Sequence, residues 1–549
     1  MSCLCIGSIE GTDNREQITG NKGNRERKED SLRVVKGSVL AVVSGALLAL
    51  CFPYPDLGFL AYFALVPLLI ALFGSSPRLA ALYGFLTGWV LFAALSYWVA
   101  IYGAFPFILI VSMAASLIAV FAALSSYVIK RTGPLLQLFF LPAIWIVIEF
   151  LRSELGSYSY PYGVLGYTQT GFRPVLQIAG VIGVYGISYL VVFVNTGLAV
   201  SINSRHRGRK SLYVAQACVV LALLAAVGYG YARTVSYRDE SKKKISVGIV
   251  QPSIPQKLKW DRDTAPSIMN KYQKLASSFK GGGADMIVFP EATLPLYVEP
   301  DDPLVYRLRS WASVTKKPLL AGVPLIDEDL KSRNTVQLIY PGGRVRGRYD
   351  KMYPAPFGEF VPFRPISEKL WTDFTARGDV TPGKQPTIFK FRRPGSGASL
   401  RFGVLICSES LYSHLARRVV HDGAEAIFVM TNDAWFYTTN EPDLHFDMSI
   451  LRAVENGVYV AQAANSGVSG VVDPTGRVVE RTKVFEVTTF ENTVGFSDQR
   501  TFFNRAGYLF PYILSALLFL FLLFLISIVS SADVSPGVNR APKSSKGQI

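Results

Sequence analysis

Three segments of the chain each end a predicted strand on a reactive side chain. Ala284-Asp-Met-Ile-Val-Phe-Pro-Glu291 ends on a carboxylate. Arg348-Tyr-Asp-Lys351 ends on an ammonium, and Glu359 follows after a Pro/Gly-rich turn. Leu400-Arg-Phe-Gly-Val-Leu-Ile-Cys407-Ser408-Glu409 ends on a thiol, just ahead of a helical pattern over Ser413 to Val420. Ligands of α/β sheets bind at the carboxyl ends of strands, and a helix N-terminus near the thiol is expected to lower its pKa. Together the three groups make an acyl-transfer set. A Cys407 thiolate attacks a carbonyl and divides one hard step into two easier ones. Glu291 takes the thiol proton and handles protons for the second substrate. Lys351 and the backbone N–H of Ser408 stabilise the oxyanion of the tetrahedral intermediate. Glu359 is spaced to fold back on Lys351 or to polarise a second group. Taken singly, each has a plainer reading: a small buried hydrophobe for Cys407, a solvated strand end for Glu291 and a surface pair for Lys351 and Asp350. Their order and flanks together favour the catalytic reading.

Other chemistry has little support in the residues. His206, His414, His421 and His445 show no metal-ligand spacing, so neither a metal nor a cofactor is expected. Gly281-Gly-Gly283 lacks the Lys-Ser/Thr of a phosphate loop and reads as a turn. No nucleic-acid motif accompanies the net charge of +16 (56 Lys and Arg against 40 Asp and Glu).

The elements that must position these groups fall into two unlike parts. Half of the 549 residues are hydrophobic and 17% are charged, against about 25% charged in a soluble domain. That composition excludes disorder, a collagen, a disulfide scaffold and a coiled coil. Apolar runs near the length a bilayer requires, roughly 20 residues, occur at 37–54, 58–74, 79–102, 105–129, 134–151, 175–202 and 211–232, and again at 509–530. The first two are short and separated by Pro53-Tyr-Pro55-Asp56, so they also read as one broken hairpin. Residues 240–500 alternate strand-like and amphipathic stretches, the pattern of a globular α/β domain. The expected organisation is a disordered cytoplasmic tail over 1–36, a seven-span membrane part over 37–233, a catalytic domain over 240–500, an eighth span over 507–531 and a cytoplasmic tail over 532–549.

Arg78, Lys130-Arg131 and the Arg205–Lys210 cluster fall in alternate loops, which the positive-inside rule assigns to the cytoplasm. Arg152 and Arg173, in the loop 152–174, run against that pattern. An odd number of spans then carries residues 240–500 to the outer side. Of five cysteines only Cys407 lies in that domain, which leaves it no internal disulfide. Tyr158, Tyr160, Tyr162 and Tyr167 suit either an interfacial aromatic belt or lipid contact. Phe357, Phe360, Val361, Phe363, Leu370, Trp371 and Phe374 suit either a membrane-dipping lid or core packing.

The order FPEATLP, YDKMYPAPFGEFVP, GVLICSES resembles the nitrilase superfamily. With the spans, the chain resembles its membrane-integral branch, the apolipoprotein N-acyltransferases. Gln251-Pro-Ser-Ile-Pro-Gln-Lys-Leu-Lys-Trp260, Arg333-Asn334-Thr, Thr431-Asn-Asp-Ala-Trp-Phe436, Ala464-Asn-Ser-Gly467 and the stretch Tyr160 to Gln169 carry the narrower likeness, which covers about residues 37–530.

The resemblance implies eight spans and an extracytoplasmic α/β/β/α sandwich in a bacterial inner membrane, with the catalytic domain in the periplasm. It implies transfer of an sn-1 acyl chain from a phospholipid through a cysteine thioester to the α-amino group of the diacylglyceryl-cysteine that begins an apolipoprotein. By motif, the triad is Glu291, Lys351 and Cys407, with Glu359 a second essential carboxylate. Glu409 and Asn334 lie near the site, and Trp260 stands on its lid side. Ser408 departs from the family, where a larger aromatic residue is expected. A monomer acting on phospholipid and apolipoprotein is the expected state. Two alternatives remain: a membrane-tethered amidase using the same triad, and a transporter with a sensor domain. The transporter would need ionisable residues in its spans, of which Glu149 and Arg152 are the clearest.

Overall fold

The structure is a computed structural model that describes residues 13–52, 55–154, 156, 159–203, 209–239, 243–356, 358–361, 364, 379–393 and 399–533. Six long helices come first: α1 (Asp13–Leu50), α2 (Pro77–Leu95), α3 (Ala104–Arg131), α4 (Pro134–Ser153), α5 (Val184–Asn203) and α6 (Arg209–Ser236). With a C-terminal helix, Leu509–Asp533, they make seven helices among the described residues long and apolar enough to cross a membrane.

Two expectations change here. The span expected over 58–74 is a shorter apolar helical segment, Leu57–Leu72, below that crossing length. It is interrupted at Leu65, before Pro67, a residue that cannot donate to a helix ladder. The interruption is satisfied from α5: Asn195 accepts the Leu65 N–H at 2.9 Å and donates to the Ala61 carbonyl at 2.7 Å. Such a break is tolerated at membrane depth only where a neighbour completes the backbone bonds. The second change is in the tail, where residues 13–36, expected to be disordered, continue α1 as helix. The stretch is rich in Arg, Glu and Lys, strong helix formers that extend a helix already nucleated by its apolar half.

Between α6 and the C-terminal helix, twelve strands among the described residues form two six-stranded sheets. The first has the order β12-β1-β2-β3-β4-β5 and the second β11-β10-β9-β8-β7-β6. The strands of the first are β1 (Lys243–Gln251), β2 (Met286–Val288), β3 (Leu319–Ile326), β4 (Ser332–Ile339), β5 (Val345–Asp350) and β12 (Thr488–Phe496). Those of the second are β6 (Ile388–Arg392), β7 (Ser399–Ile406), β8 (Ala426–Thr431), β9 (Tyr459–Ala464), β10 (Gly470–Val472) and β11 (Val478–Arg481). In each sheet three central strands are parallel, β1-β2-β3 and β7-β8-β9. A parallel strand covered on both faces reads as an unbroken apolar run, as Ala-Ile-Phe-Val-Met-Thr of β8 does, buried at every residue.

The sheets pack face to face through Val247, Ile249, Val288, Phe402, Val404 and Phe428. Helices α7 (Ala265–Ala276) and α8 (Pro303–Thr315) cover the outer face of the first sheet with Met269, Tyr272, Leu308 and Trp311. Helices α9 (Ser413–His421) and α10 (Glu441–Asn456) cover the second sheet, completing an α/β/β/α sandwich. Fifteen of the sixteen residues of α10 are buried, all but Asp443, because its far side meets the membrane part. One core cluster joins Leu415, Phe446 and Leu451 to Trp98, Tyr167 and Leu176. Polar ties cross the same boundary: Arg452 to the Tyr167 hydroxyl (3.0 Å), the Val184 N–H to Glu455 (3.0 Å) and His414 to Glu154 (2.7 Å).

The two ionisable residues of α4 are tied to backbone. Glu149 accepts the Leu165 N–H at 2.9 Å, and Arg152 donates to the carbonyls of Tyr160 and Tyr162. Both therefore pin the loop that follows α4 against the catalytic domain.

Candidate active site

Glu291 stands just beyond β2, Lys351 directly after β5 and Cys407 directly after β7, so two sheets deliver their strand ends to one place. The Glu291 turn lies hard against β3. A Cβ on Gly322 would come within 2.5 Å of the Ala292 N, so only glycine admits this approach. Ala292 itself has φ 50°. Its carbonyl and that of Glu291 accept from the buried Lys259 ammonium at 3.1 and 3.5 Å. Burial pulls the Lys259 pKa down to about 7 against the opposing pull of Glu291.

Lys351 is 1% exposed and sits between two carboxylates. Its Nζ lies 2.7 Å from Glu359 Oε2 and 3.6 Å from Glu291 Oε1. Asn334, on β4, donates to both carboxylates, at 2.6 Å to Glu291 and 2.8 Å to Glu359. The Glu359 carboxylate also accepts the Ala355 N–H at 2.6 Å, which closes the turn after Lys351. Glu359 thus folds back onto the lysine. Burial raises the Glu291 pKa, Lys351 opposes that shift, and Glu359 adds to it. Burial opposes the lysine's charge, yet the two carboxylates hold its pKa well above the ordinary value.

Cys407 feels the charges of Glu291, Lys351 and Asp433, and its pKa is pushed well above the ordinary value, first by burial and then by Glu291. This reverses the expected lowering. The thiol opens only a five-residue 3-10 turn, Cys407–Leu411, and desolvation of the anion outweighs what one short turn offers. The thiol is thus held in its protonated form beside two carboxylates, of which Glu291 acts on it more strongly than Asp433.

Glu409 is fully buried and anchors the loops. It accepts from the Tyr349 hydroxyl (2.8 and 2.9 Å) and from the N–H groups of Ile406 (2.8 Å), Met352 (2.7 Å) and Tyr353 (3.2 Å). One carboxylate therefore ties the strand carrying Cys407 to the turn carrying Lys351. Burial raises its pKa to about 6. The Ser408 Oγ is buried without a hydrogen-bond partner. Trp260 has φ 72° and stacks on Tyr297 with centroids 5.4 Å apart.

The membrane part supplies groups that sequence reasoning missed or misjudged. The Tyr102 hydroxyl, between α2 and α3, senses the charges of Cys407, Glu441, Glu359 and Lys351. It lies near the Lys351 turn, 3.7 Å from where a Gly358 Cβ would stand. No local pattern marks it. Tyr162 and Tyr167, expected in a belt or against lipid, are buried instead, and Tyr162 donates to Glu441 at 2.8 Å. Trp98 packs on Tyr162 and on Phe436 with centroids 5.2 and 5.0 Å apart. Of the residues expected in a lid, Val361 is buried and Phe360 half-buried. Tyr158, Phe357, Phe363, Leu370, Trp371 and Phe374 lie outside the described residues. Asp433, Glu441 and His445, which the chain spaces too irregularly to suggest a cluster, bring one ligand-type atom each within 4.8 Å of the others.

A buried thiol, a lysine and two carboxylates therefore lie together, with the Tyr102 hydroxyl of the membrane part close to the Lys351 turn. Residues 44–197 match the model of the apolipoprotein N-acyltransferase N-terminal domain, and residues 246–498 that of the carbon-nitrogen hydrolases. The apolipoprotein N-acyltransferase of Geobacter metallireducens is 33% identical over 490 residues, 86% of this chain and 92% of that protein. That of Photobacterium profundum is 30% identical, covering 85% of this chain and 91% of that protein. Among solved structures, an amidase from Nesterenkonia sp. is similar at 20% identity, over 48% of this chain and 93% of its own, with a TM-score of 0.35. A chain that matches its relatives from the first helices through the last strand, membrane part and sandwich alike, belongs to the apolipoprotein N-acyltransferase family.

Proposed function

We propose that the protein moves an sn-1 acyl chain from a phospholipid to the α-amino group of an S-diacylglyceryl-cysteine at the start of an apolipoprotein, in two steps through Cys407. The buried Glu291–Lys351–Glu359–Asn334 cluster beside that thiol carries the reading. In the first step the Cys407 proton passes to Glu291 while sulfur bonds to the ester carbonyl carbon. The negative charge on the carbonyl oxygen is stabilised by the Lys351 ammonium and the Ser408 N–H. Collapse breaks the ester C–O bond, and the lysophospholipid leaves with the proton held by Glu291. In the second step the lipoprotein amine bonds to the thioester carbon and gives a proton to Glu291. The C–S bond breaks, the thiolate is reprotonated and an amide is released. Glu359 and Asn334 hold Lys351 and Glu291 in register, Glu409 holds their loops, and Trp260 stands at the entrance.

Both substrates are lipids, and the aromatic loops of the membrane part beside Cys407 suit a site that opens at a bilayer surface. The alternating basic loops favour a bacterial inner-membrane protein with residues 240–500 on the periplasmic face, acting as a monomer. Incubation with labelled phospholipid should give a hydroxylamine-labile label on Cys407. Mass spectrometry of a lipoprotein N-terminus should then show a third acyl chain only when the enzyme is present. Release of free fatty acid with no third chain would instead select the amidase reading. Labelling of engineered cysteines in 240–500 from the cytoplasmic side would overturn the orientation.

A further inference from the structure

Cys407 adopts φ 51°, the left-handed region that a side-chain-bearing residue enters only when its surroundings hold it there. Its carbonyl is held from α10. The His445 Nε2 lies 3.1 Å from that oxygen and 2.7 Å from the Ser410 Oγ, and the Ser410 hydroxyl donates to the same carbonyl at 3.1 Å. A carbonyl only accepts, so this contact is a hydrogen bond when the His445 Nε2 carries a proton. The other ring nitrogen, Nδ1, lies 3.0 Å from Asp433 Oδ1, which also accepts from the Thr431 hydroxyl. A carboxylate likewise only accepts, so Nδ1 donates to it, and with a proton on both nitrogens the ring is an imidazolium. Asp433, Glu441 and His445 are all buried. Burial works against the imidazolium, but Asp433 and Glu441 outweigh it and lift its pKa to about 9. Glu441 accepts from Tyr162, whose own carbonyl is held by Arg152 at the end of α4. Polar groups therefore follow one another from a membrane helix to the nucleophile's backbone, with Glu441 and His445 brought within 4.8 Å of each other.

We propose that His445 is a positioning residue for acyl transfer: as a double donor braced by Asp433, it grips the Cys407 carbonyl and keeps the nucleophile in the left-handed turn that presents its sulfur to Glu291 and the substrate. The inference rests on the acyl-transfer reading of the site and adds a part to it. His445 touches neither substrate nor sulfur, and its effect passes through the Cys407 backbone alone.

Two amide variants separate the bonds of the ring. In His445→Gln the amide reaches the place of Nε2 and can still donate to the carbonyl. In His445→Asn it reaches only the place of Nδ1, so Asp433 keeps a partner and the carbonyl loses one. Full-length proteins in nanodiscs are compared by single-turnover acylation with labelled phospholipid and by iodoacetamide alkylation of Cys407 without lipid. His445→Asn is expected to slow both by at least ~10-fold, the equivalent of one charge-assisted hydrogen bond, with half-saturation by phospholipid unchanged. His445→Gln is expected to recover to within ~3-fold of the unaltered protein, scaled by the same arithmetic. Equal rates for the two folded variants would overturn the proposal, as would a change confined to half-saturation. If either variant fails to fold, 15N NMR of the unaltered protein decides: both His445 nitrogens should be protonated at neutral pH, and a bare Nδ1 overturns the grip. Chelator treatment should leave alkylation unchanged, and loss restored by a divalent cation would replace the imidazolium with a metal. If no label passes from phospholipid to Cys407, the acyl-transfer reading fails, while the alkylation ratio still tests the grip.

Discussion

Replacing Glu359 with Gln removes a charge and one acceptor oxygen while keeping the shape of the side chain. Its Oε2 accepts from Lys351 at 2.7 Å and from the Ala355 N–H at 2.6 Å, and its Oε1 accepts from Asn334 at 2.8 Å. All three partners are donors. Whichever way the new amide turns, its NH2 group faces either the lysine and the backbone N–H or the NH2 of Asn334. Breaking a buried ion pair by removing one partner costs about 3–5 kcal/mol. The Glu359 side chain is 14% exposed, against 1% for Lys351, so water relieves part of the loss and the low end, about 3 kcal/mol, applies. If this falls on the transition state that Lys351 stabilises, acylation slows roughly 150-fold. Glu359 also raises the Glu291 pKa, so its neutralisation should let Glu291 ionise at lower pH and shift the acid limb of acylation downward. The assay is single-turnover transfer of a fluorescent acyl chain to Cys407 across a pH series, beside the melting temperature of each protein. An acylation rate within ~3-fold of the unaltered enzyme, in a variant with unchanged melting, would refute the role given to the cluster.

Cys407→Ala should fold and insert yet transfer no acyl chain, and Cys407→Ser should accumulate no hydroxylamine-labile label; both are read on gels after incubation with labelled phospholipid. Glu409 accepts from three backbone N–H groups and from the Tyr349 hydroxyl, which lies within reach of both its oxygens, and its pKa is raised to about 6. For a carboxyl shifted upward, protonation favours the folded state and stability declines as pH rises through about 6. Activity runs the other way, because the protonated acid has one acceptor oxygen fewer for the three N–H groups it holds. Acylation should fall below pH ~6 without loss of melting temperature, and a Glu409→Gln variant should be slow at every pH. Asn195→Leu should strip two partners from the broken helix at Leu65. Each unsatisfied backbone group costs about 1–3 kcal/mol, so melting in detergent should drop while the acylation rate per folded molecule holds.

That two different sheets bring Glu291, Lys351 and Cys407 together is not visible in the sequence; Glu291 and Cys407 are, because each follows an apolar strand run that is itself a local pattern. The long spans are legible for the same reason. Residues 58–74 are not, because their helix is broken at Leu65 and completed by Asn195, 130 positions away. Tyr162 reaches Glu441 across 279 positions, and no window of sequence contains both. The direction of the Cys407 pKa was missed on different grounds. A helix N-terminus can be read from sequence, whereas burial of the sulfur is a property of the assembled domain, and burial prevails. Glu409 appears by position alone; its work in tying Tyr349, Met352 and Ile406 together emerges only when β5 and β7 end side by side.

The layer of α9 and α10 has a consequence for how the molecule is assembled. These helices belong to the sandwich by sequence, but their apolar residues share one core with Trp98, Tyr167 and Leu176 of the membrane part. Cutting the chain after α6 and before the last helix would therefore expose Phe446, Ile450 and Leu451 on a helix that is buried at fifteen of its sixteen positions. The sandwich cannot mature as a free domain and dock afterwards. Its second helix layer must close against spans already in the bilayer, so the order of synthesis, membrane helices first and catalytic domain after them, is also the order in which the fold can be completed.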